Sequence, residues 1–517
     1  MKTTIRTAKR ALQFFRIGLA AKKVRYSQDE VERLLAKRAL AGMFADARGI
    51  TMKVGQLFAG TDGMTPFQDL VECIEPLPLK TMIPLLETEM GKKAGAVFRS
   101  IDEAVAAASL GQVHLAELKS GEKVAVKIRY PDIADAVDAE LRLAGLLPGV
   151  GPVKRWGFDL EAYKKTLRNN MQRELDYRTE AQRQQYFGRT VQVPGLRVPG
   201  VYMDLCSERV LVQDRALGVL IGKVSGWPKE DRKVIGQTLV MTLFKSLFVA
   251  GEVHGDPHPG NAFYSHDENG QPLVTLLDYG CTATVAEPRR LALLKLIAGC
   301  RERNHIKPLD CFAALGFDVN KLRPISGSLP ALCQILFRPF LSNHPFNPGE
   351  WHVGQEVSNL LGDYRWWFRS AGPSDLFLLM RAFQGLIQQL QQLDVKLAWW
   401  PLLQQAVGDE LIQYAVAYEL PAIHPELTSS APSFDQQAAK LYVKVTEKGE
   451  PRVSVAMPAE AVLDLDHLIP EDVLERIRES GKIDLKQLGD NIRTNGITPQ
   501  QLFTFEDGSK VYRVWLE

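Results

Sequence analysis

The sequence predicts an α+β protein, and three observations carry that class. Short alternating strands gather between residues 96 and 130 and return after residue 434. Residues 216–424 read as mostly helical, with an apolar run at Leu291, Leu293, Leu294 and Leu296 and another over Pro373 to Asp394. Between these regions lies His254-Gly255-Asp256-Pro257-His258-Pro259-Gly260-Asn261, a loop whose prolines and glycines forbid a helix.

That loop carries the chemistry. Asp256 stands five residues before Asn261, and a second acid, Asp278, follows the apolar run Val274 to Leu277 and precedes Tyr279-Gly280. Kinase-like folds present a catalytic carboxylate and two magnesium ligands in this way. Magnesium takes hard oxygen donors, so Asp278 and Asn261 are its expected ligands, while Asp256 sits where a base would accept a proton. Val274 to Leu277 reads as a buried strand that delivers Asp278 to the site.

Upstream, the strand Val113 to Leu118 turns at Ser120-Gly121-Glu122 into Lys123-Val124-Ala125-Val126-Lys127-Ile128. Lys127 therefore projects from a strand beside the stretch Ala106-Ala107-Ala108-Ser109, expected to be a phosphate-covering loop. Alanine restricts the backbone where ordinary kinases use glycine, so altered nucleotide geometry is expected. A carboxylate must pair with Lys127, and Glu174, Asp176 and Glu180 are available on a segment, Gln172 to Ala181, that reads as one helix. Lys53-Val54-Gly55-Gln56 belongs to a long amphipathic stretch from Val31 to Phe58.

Taken together these motifs resemble the UbiB/AarF (ABC1/ADCK-type) family of atypical, protein-kinase-like ATPases. The resemblance rests on the KxGQ motif at Lys53–Gln56, the alanine-rich loop at Ala106–Ser109, the strand lysine Lys127, the ExD motif at Glu174 and Asp176, the HxDPHPGN loop and Asp278-Tyr279-Gly280. It implies a two-lobed protein-kinase-like fold with an N-terminal helical extension folded over the site. It further implies that Lys53, Gly55 and Gln56 regulate the site through Glu174 and Asp176, leaving Glu180 for Lys127. The hinge between lobes is then Arg209 to Ala216, with Gln213 beside the adenine. ATP or ADP with Mg2+ is the implied cofactor set, and ATP hydrolysis in support of isoprenoid lipid or quinone metabolism is the implied activity. The alternatives are a small-molecule phosphotransferase of the aminoglycoside-kinase kind and a nucleotide-binding scaffold without turnover. Independently of the family, no A-P-E segment follows Asp278-Tyr279-Gly280, which argues against a peptide acceptor.

The expected units are a basic amphipathic segment (1–28), the helical extension (29–95), an N-lobe (96–215), a C-lobe (216–424), a linker (425–433) and a small module (434–517). In that module, strands Lys440 to Thr446, Arg452 to Met457, Leu502 to Phe505 and Lys510 to Leu516 flank helices Pro470 to Ser480 and Asp484 to Thr494. It reads as a separate partner-binding or self-association unit. His114 is expected at the sheet surface or against a helix. Trp366, Trp367, Trp399 and Trp400 read as core or as part of a lipid-facing surface.

At 517 residues with 45% hydrophobic content, the chain is a multidomain globular protein. A net charge of +2 gives no reason to expect nucleic acid, and six cysteines without paired spacing argue against zinc and a disulfide framework. The basic N-terminus, interleaved with Ile5, Leu12, Phe14 and Phe15, either lies on an anionic membrane or docks on the lobe. With Arg16 breaking any signal-peptide core, and Lys245 interrupting Thr238 to Ala250, neither a signal peptide nor a transmembrane segment is expected. A cytoplasmic protein, peripheral at the inner face of a membrane if bound at all, is the expected setting.

Overall fold

This computed structural model describes residues 76–107, 110–131, 157–256, 259–421, 431–481 and 483–517. The N-terminal basic segment and the KxGQ motif therefore lie outside the described residues. The chain enters through helix α1 (Leu79–Met90), which buries Met82 and Leu86 against the first sheet. That sheet is antiparallel, in the order β1 (Phe98–Ala107), β2 (Gly111–Leu118), β3 (Lys123–Arg129), then β5 (Val210–Asp214). Alternation in β3 buries Val124, Val126 and Ile128 on one side, which turns Lys127 to the other.

Two side chains under this sheet moor the entering segment. The Gln112 amide donates to the Leu77 carbonyl at 2.8 Å and accepts from the Leu77 N–H at 2.8 Å. His114 is fully buried beside it, with Nδ1 2.9 Å from the Asp102 carbonyl. It thus lies inside the packed face instead of at the sheet surface, because Gln112 and Asp102 satisfy its ring nitrogens.

The expected helix from Gln172 to Ala181 is two helices. Helix α2 (Leu160–Glu174) ends, and α3 (Tyr177–Thr190) starts at Asp176, whose carboxylate accepts from the Arg178 and Thr179 N–H groups and the Thr179 hydroxyl. A short acidic side chain competes for backbone donors in this way, so Asp176 starts a new helix where good helix formers suggested continuity.

Beyond the hinge, the C-lobe is built round α4 (Lys229–Phe244), continued by a π-helical turn over Lys245–Ala250. Nine consecutive or near-consecutive apolar and small residues from Ile235 to Phe244 are buried, the pattern of a helix surrounded by protein. Among the described residues, Lys229–Ala250 has the length (22 residues) and mean hydropathy (1.3) to cross a membrane, but 67% of its apolar window is buried inside the lobe. Phe244 packs edge-on to Trp399, which is fully buried on α7 (Trp399–Val407), so Trp399 and Trp400 are core residues. The functional loop is held by two small sheets. Strand β6 (Glu252–His254) pairs with β9 (Thr282–Thr284), and β7 (Ala262–His266) pairs with β8 (Pro272–Leu276), which in turn runs parallel to β4 (Leu196–Arg197). Helices α5 (Glu287–Glu302) and α6 (Leu376–Gln392) cover them.

The C-terminal residues form the two hairpins expected from their alternation. Strands β10 (Lys440–Glu447), β11 (Glu450–Pro458), β12 (Gln500–Asp507) and β13 (Lys510–Leu516) pair in the order β11-β10-β13-β12, with α8 (Glu471–Ser480) and α9 (Leu485–Asn495) between the hairpins. This region is not packed as a separate unit. Phe434, Leu441, Ile477, Val514 and Leu516 share one continuous core with Ala292, Leu296, Leu309 and Leu332 of the C-lobe. The polar composition before residue 433 suggested a free linker, yet Ala431, Ser433 and Phe434 are buried, and the Phe434 N–H donates to the Ile306 carbonyl. All five described cysteines, Cys206, Cys281, Cys300, Cys311 and Cys333, are buried thiols without a disulfide.

Candidate functional site

Lys127 is the centre of a buried charge cluster between the lobes. Its ammonium donates to both oxygens of Glu180 on α3, at 2.9 and 3.0 Å, and lies 3.4 Å from Asp278 Oδ1. The Tyr177 ring lies beneath it, 4.8 Å from Nζ to centroid, and adds a cation–π contact. Burial works against the ammonium, but the Asp278 and Glu180 carboxylates outweigh it and hold the Lys127 pKa well above the ordinary lysine value. Burial pushes the Glu180 carboxyl up to about 7; Lys127 opposes this, while the nearby Asp278 charge adds to it.

The shift of Glu180 makes stability pH-dependent. The folded protein holds this proton with a pKa of about 7, against an ordinary 4.5, so the unfolded chain releases it first. The stabilisation is complete below about 4.5 and is lost as the pH rises to about 7. Glu180→Gln is expected to flatten that fall, measured by urea unfolding of the nucleotide-free protein at several pH values across this window. An unchanged slope would assign the fall to other groups.

Asp278 occupies a left-handed conformation, φ 61°, directly after β8. Asp and Asn tolerate this region better than other residues with side chains, and the conformation turns the carboxylate out of the strand line toward Lys127. The Gly280 N–H donates back to Asp278 Oδ1 at 3.2 Å. A Cβ on Gly280 would press to 3.2 Å from Asp278 Oδ1 and touch Glu180 Oε2 (3.4 Å) and Glu174 Cγ (3.6 Å), so three acids converge beside this glycine. Glu174 is itself buried at the end of α2. Tyr279 is fully buried, 5.2 Å from the Phe187 ring and edge-on to His254 at 5.4 Å.

The second half of the site is tied to the first through backbone. His254 Nε2 lies 2.9 Å from the Leu277 carbonyl, and the Leu277 N–H donates to the Asn261 carbonyl at 2.8 Å. His254 is therefore a strut between the loop and the strand that ends at Asp278. Asn261 donates through Nδ2 to Asp256 Oδ2 at 3.0 Å, which directs its amide oxygen away from Asp256. Asp256 is 6% exposed, and its other oxygen accepts from Arg381 Nη2 at 2.7 Å.

Among the described residues no three His, Cys, Asp or Glu side chains form a metal-binding group. A magnesium ion fits the site nonetheless, because it keeps several waters and binds through one or two protein oxygens plus nucleotide phosphates. The Asp278 carboxylate, 32% exposed, and the Asn261 amide oxygen would be the pair to supply them.

Other expected residues fall out as follows. Ala106 and Ala107 belong to the end of β1, paired with Val113 and Gln112, so half of the expected loop is strand. Ala108 and Ser109, like Lys53, Gly55 and Gln56, lie outside the described residues. Gln213, the penultimate residue of β5, pairs with Ala125 and accepts from the buried Gln184 Nε2 at 2.8 Å. Sequence reasoning missed Arg381 and Gln184. A lone arginine in the apolar run Leu376-Phe377-Leu378-Leu379-Met380 was the available signal for the first. Gln184 lies among ordinary helix formers and carried none.

Residues 69–309 match the model of the ABC1 atypical kinase-like domain. The chain carries an ABC1 atypical kinase-like domain. Its relatives include the mitochondrial atypical kinase COQ8B of Rattus norvegicus, 28% identical over 372 residues, 69% of this chain and 69% of the relative. The probable protein kinase UbiB of Sodalis glossinidius is 27% identical over 373 residues, 69% of this chain and 65% of the relative. A Mycobacterium tuberculosis protein solved in complex with erythromycin is 24% identical, covers 74% of this chain and 100% of its own, and superposes with a TM-score of 0.49. The chain spans between 42 and 69% of the length of such curated relatives. Lys127, Glu180, Asp256, Asn261 and Asp278 all fall within the ABC1 domain; Arg381 lies beyond its matched limit.

Proposed function

We propose that the ABC1 domain binds a magnesium nucleotide between its lobes and hydrolyses ATP in preference to phosphorylating proteins, in support of isoprenoid lipid or quinone metabolism. The observation that carries this reading is the buried Lys127–Glu180–Asp278 cluster facing the Asp256–Asn261 loop. Lys127 is held charged for phosphate oxygens, and Glu180 fixes its direction. Asp278 and Asn261 would hold the metal, which would supply charge neutralisation for the phosphates. Asp256 has both oxygens engaged, one by Arg381 and one by Asn261, so it orients a water more readily than it accepts a proton from a bulky acceptor. The quinone context comes from the resemblance to UbiB and COQ8 proteins.

The test is phosphate release from ATP with no acceptor, with and without lipid vesicles and isoprenoid phenols. Release should depend on magnesium and disappear in Lys127→Arg and in Asp256→Asn. Efficient transfer to aminoglycosides would instead favour the small-molecule phosphotransferase, and nucleotide binding without release would favour the scaffold.

A further inference from the structure

Far from the nucleotide site, α8 and α9 enclose a cavity of about 650 Å³ against the turn Ala459–Leu468. This volume falls in the range of small-molecule sites, roughly 300–1,000 Å³. Its floor is apolar: Leu465, Leu474 and Ile477 line it, the last two one helical turn apart on α8. Gly489 opens the other wall. It stands in the interior of α9, where glycine costs about 1 kcal/mol relative to alanine, and a Cβ there would meet only the Arg493 guanidinium, at 3.6 Å. Glycine here adds no side chain to the cavity wall.

The rim carries three cations beside two acids. Arg478 and Lys486 are exposed at the mouth, and Arg493 reaches over Gly489 with its Nε–H buried and without an acceptor among the described residues. Two acids share the lining, Asp466 and Asp484, but the Asp484 carboxylate is engaged in capping α9 through the Gln487 N–H at 2.9 Å. Arg493 also pairs with Asp490 at 3.3 Å, an exposed contact of little worth. The end of α9 is fixed to the C-lobe, where the Ser328 hydroxyl donates to the Arg493 carbonyl at 2.8 Å. One wall is therefore rigidly held.

We propose that this cavity binds a single-chain anionic amphiphile, with its alkyl chain on Leu465, Leu474 and Ile477 and its carboxylate or phosphate at Arg478, Lys486 and Arg493. The pairing follows from the lining: an apolar floor sets affinity for the chain, and the cations set the preference for charge. It stands independently of the proposed nucleotide chemistry.

Calorimetric titration of the full chain with monododecyl phosphate and dodecanoate, below their micelle concentrations, tests it. Both should bind at least about tenfold more tightly than dodecanol or inorganic phosphate. Gly489→Phe, which fills the cavity, and the double variant Arg478→Gln/Lys486→Gln should each weaken binding by about tenfold or more. Asp278→Asn should leave it unchanged. The double variant changes only exposed side chains, so it decides the matter if Gly489→Phe fails to fold. Equal binding of dodecanol, equal binding of inorganic phosphate, full affinity in the double variant, or binding only to phosphatidylglycerol vesicles would each overturn the proposal.

Discussion

Asp278→Asn is expected to weaken magnesium-dependent ATP binding by about 100-fold or more while leaving the fold intact. Groups one shell removed from a metal already cost 10–100-fold when lost, and Asp278, 32% exposed, is the accessible carboxylate of this cluster, whereas Glu174, Glu180 and Asp256 are buried. The fold should survive because asparagine accepts the left-handed backbone that Asp278 adopts at φ 61°. The substitution removes one of the charges that raise the Glu180 pKa but also the carboxylate that most favours the buried Lys127 ammonium, so its two effects on the stability of the nucleotide-free protein oppose one another. Calorimetric titration with ATP, with and without magnesium, measures the binding, and urea unfolding the stability. Full affinity would remove Asp278 from the metal site; an unfolded variant would show that its role is structural.

Arg381→Met should destabilise the protein by about 3–5 kcal/mol, since it strips the 2.7 Å cationic contact from a carboxylate that is 6% exposed. Arg381 is also largely withdrawn from water, with a side chain 13% exposed, so this is not a surface pair worth a fraction of that amount. Methionine keeps much of the length and apolar stem, which confines the loss to charge and hydrogen bonding. The double variant Arg381→Met/Asp256→Asn should recover at least about 1 kcal/mol of the loss, because a neutral amide no longer needs the cation. Chemical denaturation of the two single variants and the double gives the coupling. Strict additivity would mean that the two side chains touch without depending on one another.

Much of the site was legible because its parts are local. Lys127 follows from the alternation of a seven-residue strand, and Asp278 from the apolar run before it. The hairpins around 447–450 and 507–510 declared themselves through turn residues between alternating segments. What sequence could not show is held by separation. Arg381 meets Asp256 across 125 positions, and a helix pattern says which residues face inward, not what they meet there. The break between α2 and α3 was hidden for a different reason. Asp176 is an ordinary residue by composition, and only its capture of two backbone donors turns a continuous helical pattern into two axes. The C-terminal region is less legible, because polar residues before 433 read as a linker while Phe434 just behind them packs into the lobe's core.

That shared core has a consequence for the order of events in synthesis. Ala292, Leu296 and Leu332 leave the ribosome long before Phe503, Val514 and Leu516, yet all six close one apolar cluster. The lower half of the lobe must wait, with greasy surface uncovered, until more than 170 further residues have been translated, an interval in which such surface invites aggregation or chaperone capture. Lys127 and its partners Tyr177, Glu180 and Asp278 all precede residue 279, so this charge cluster can assemble first and the lobe that supports it last.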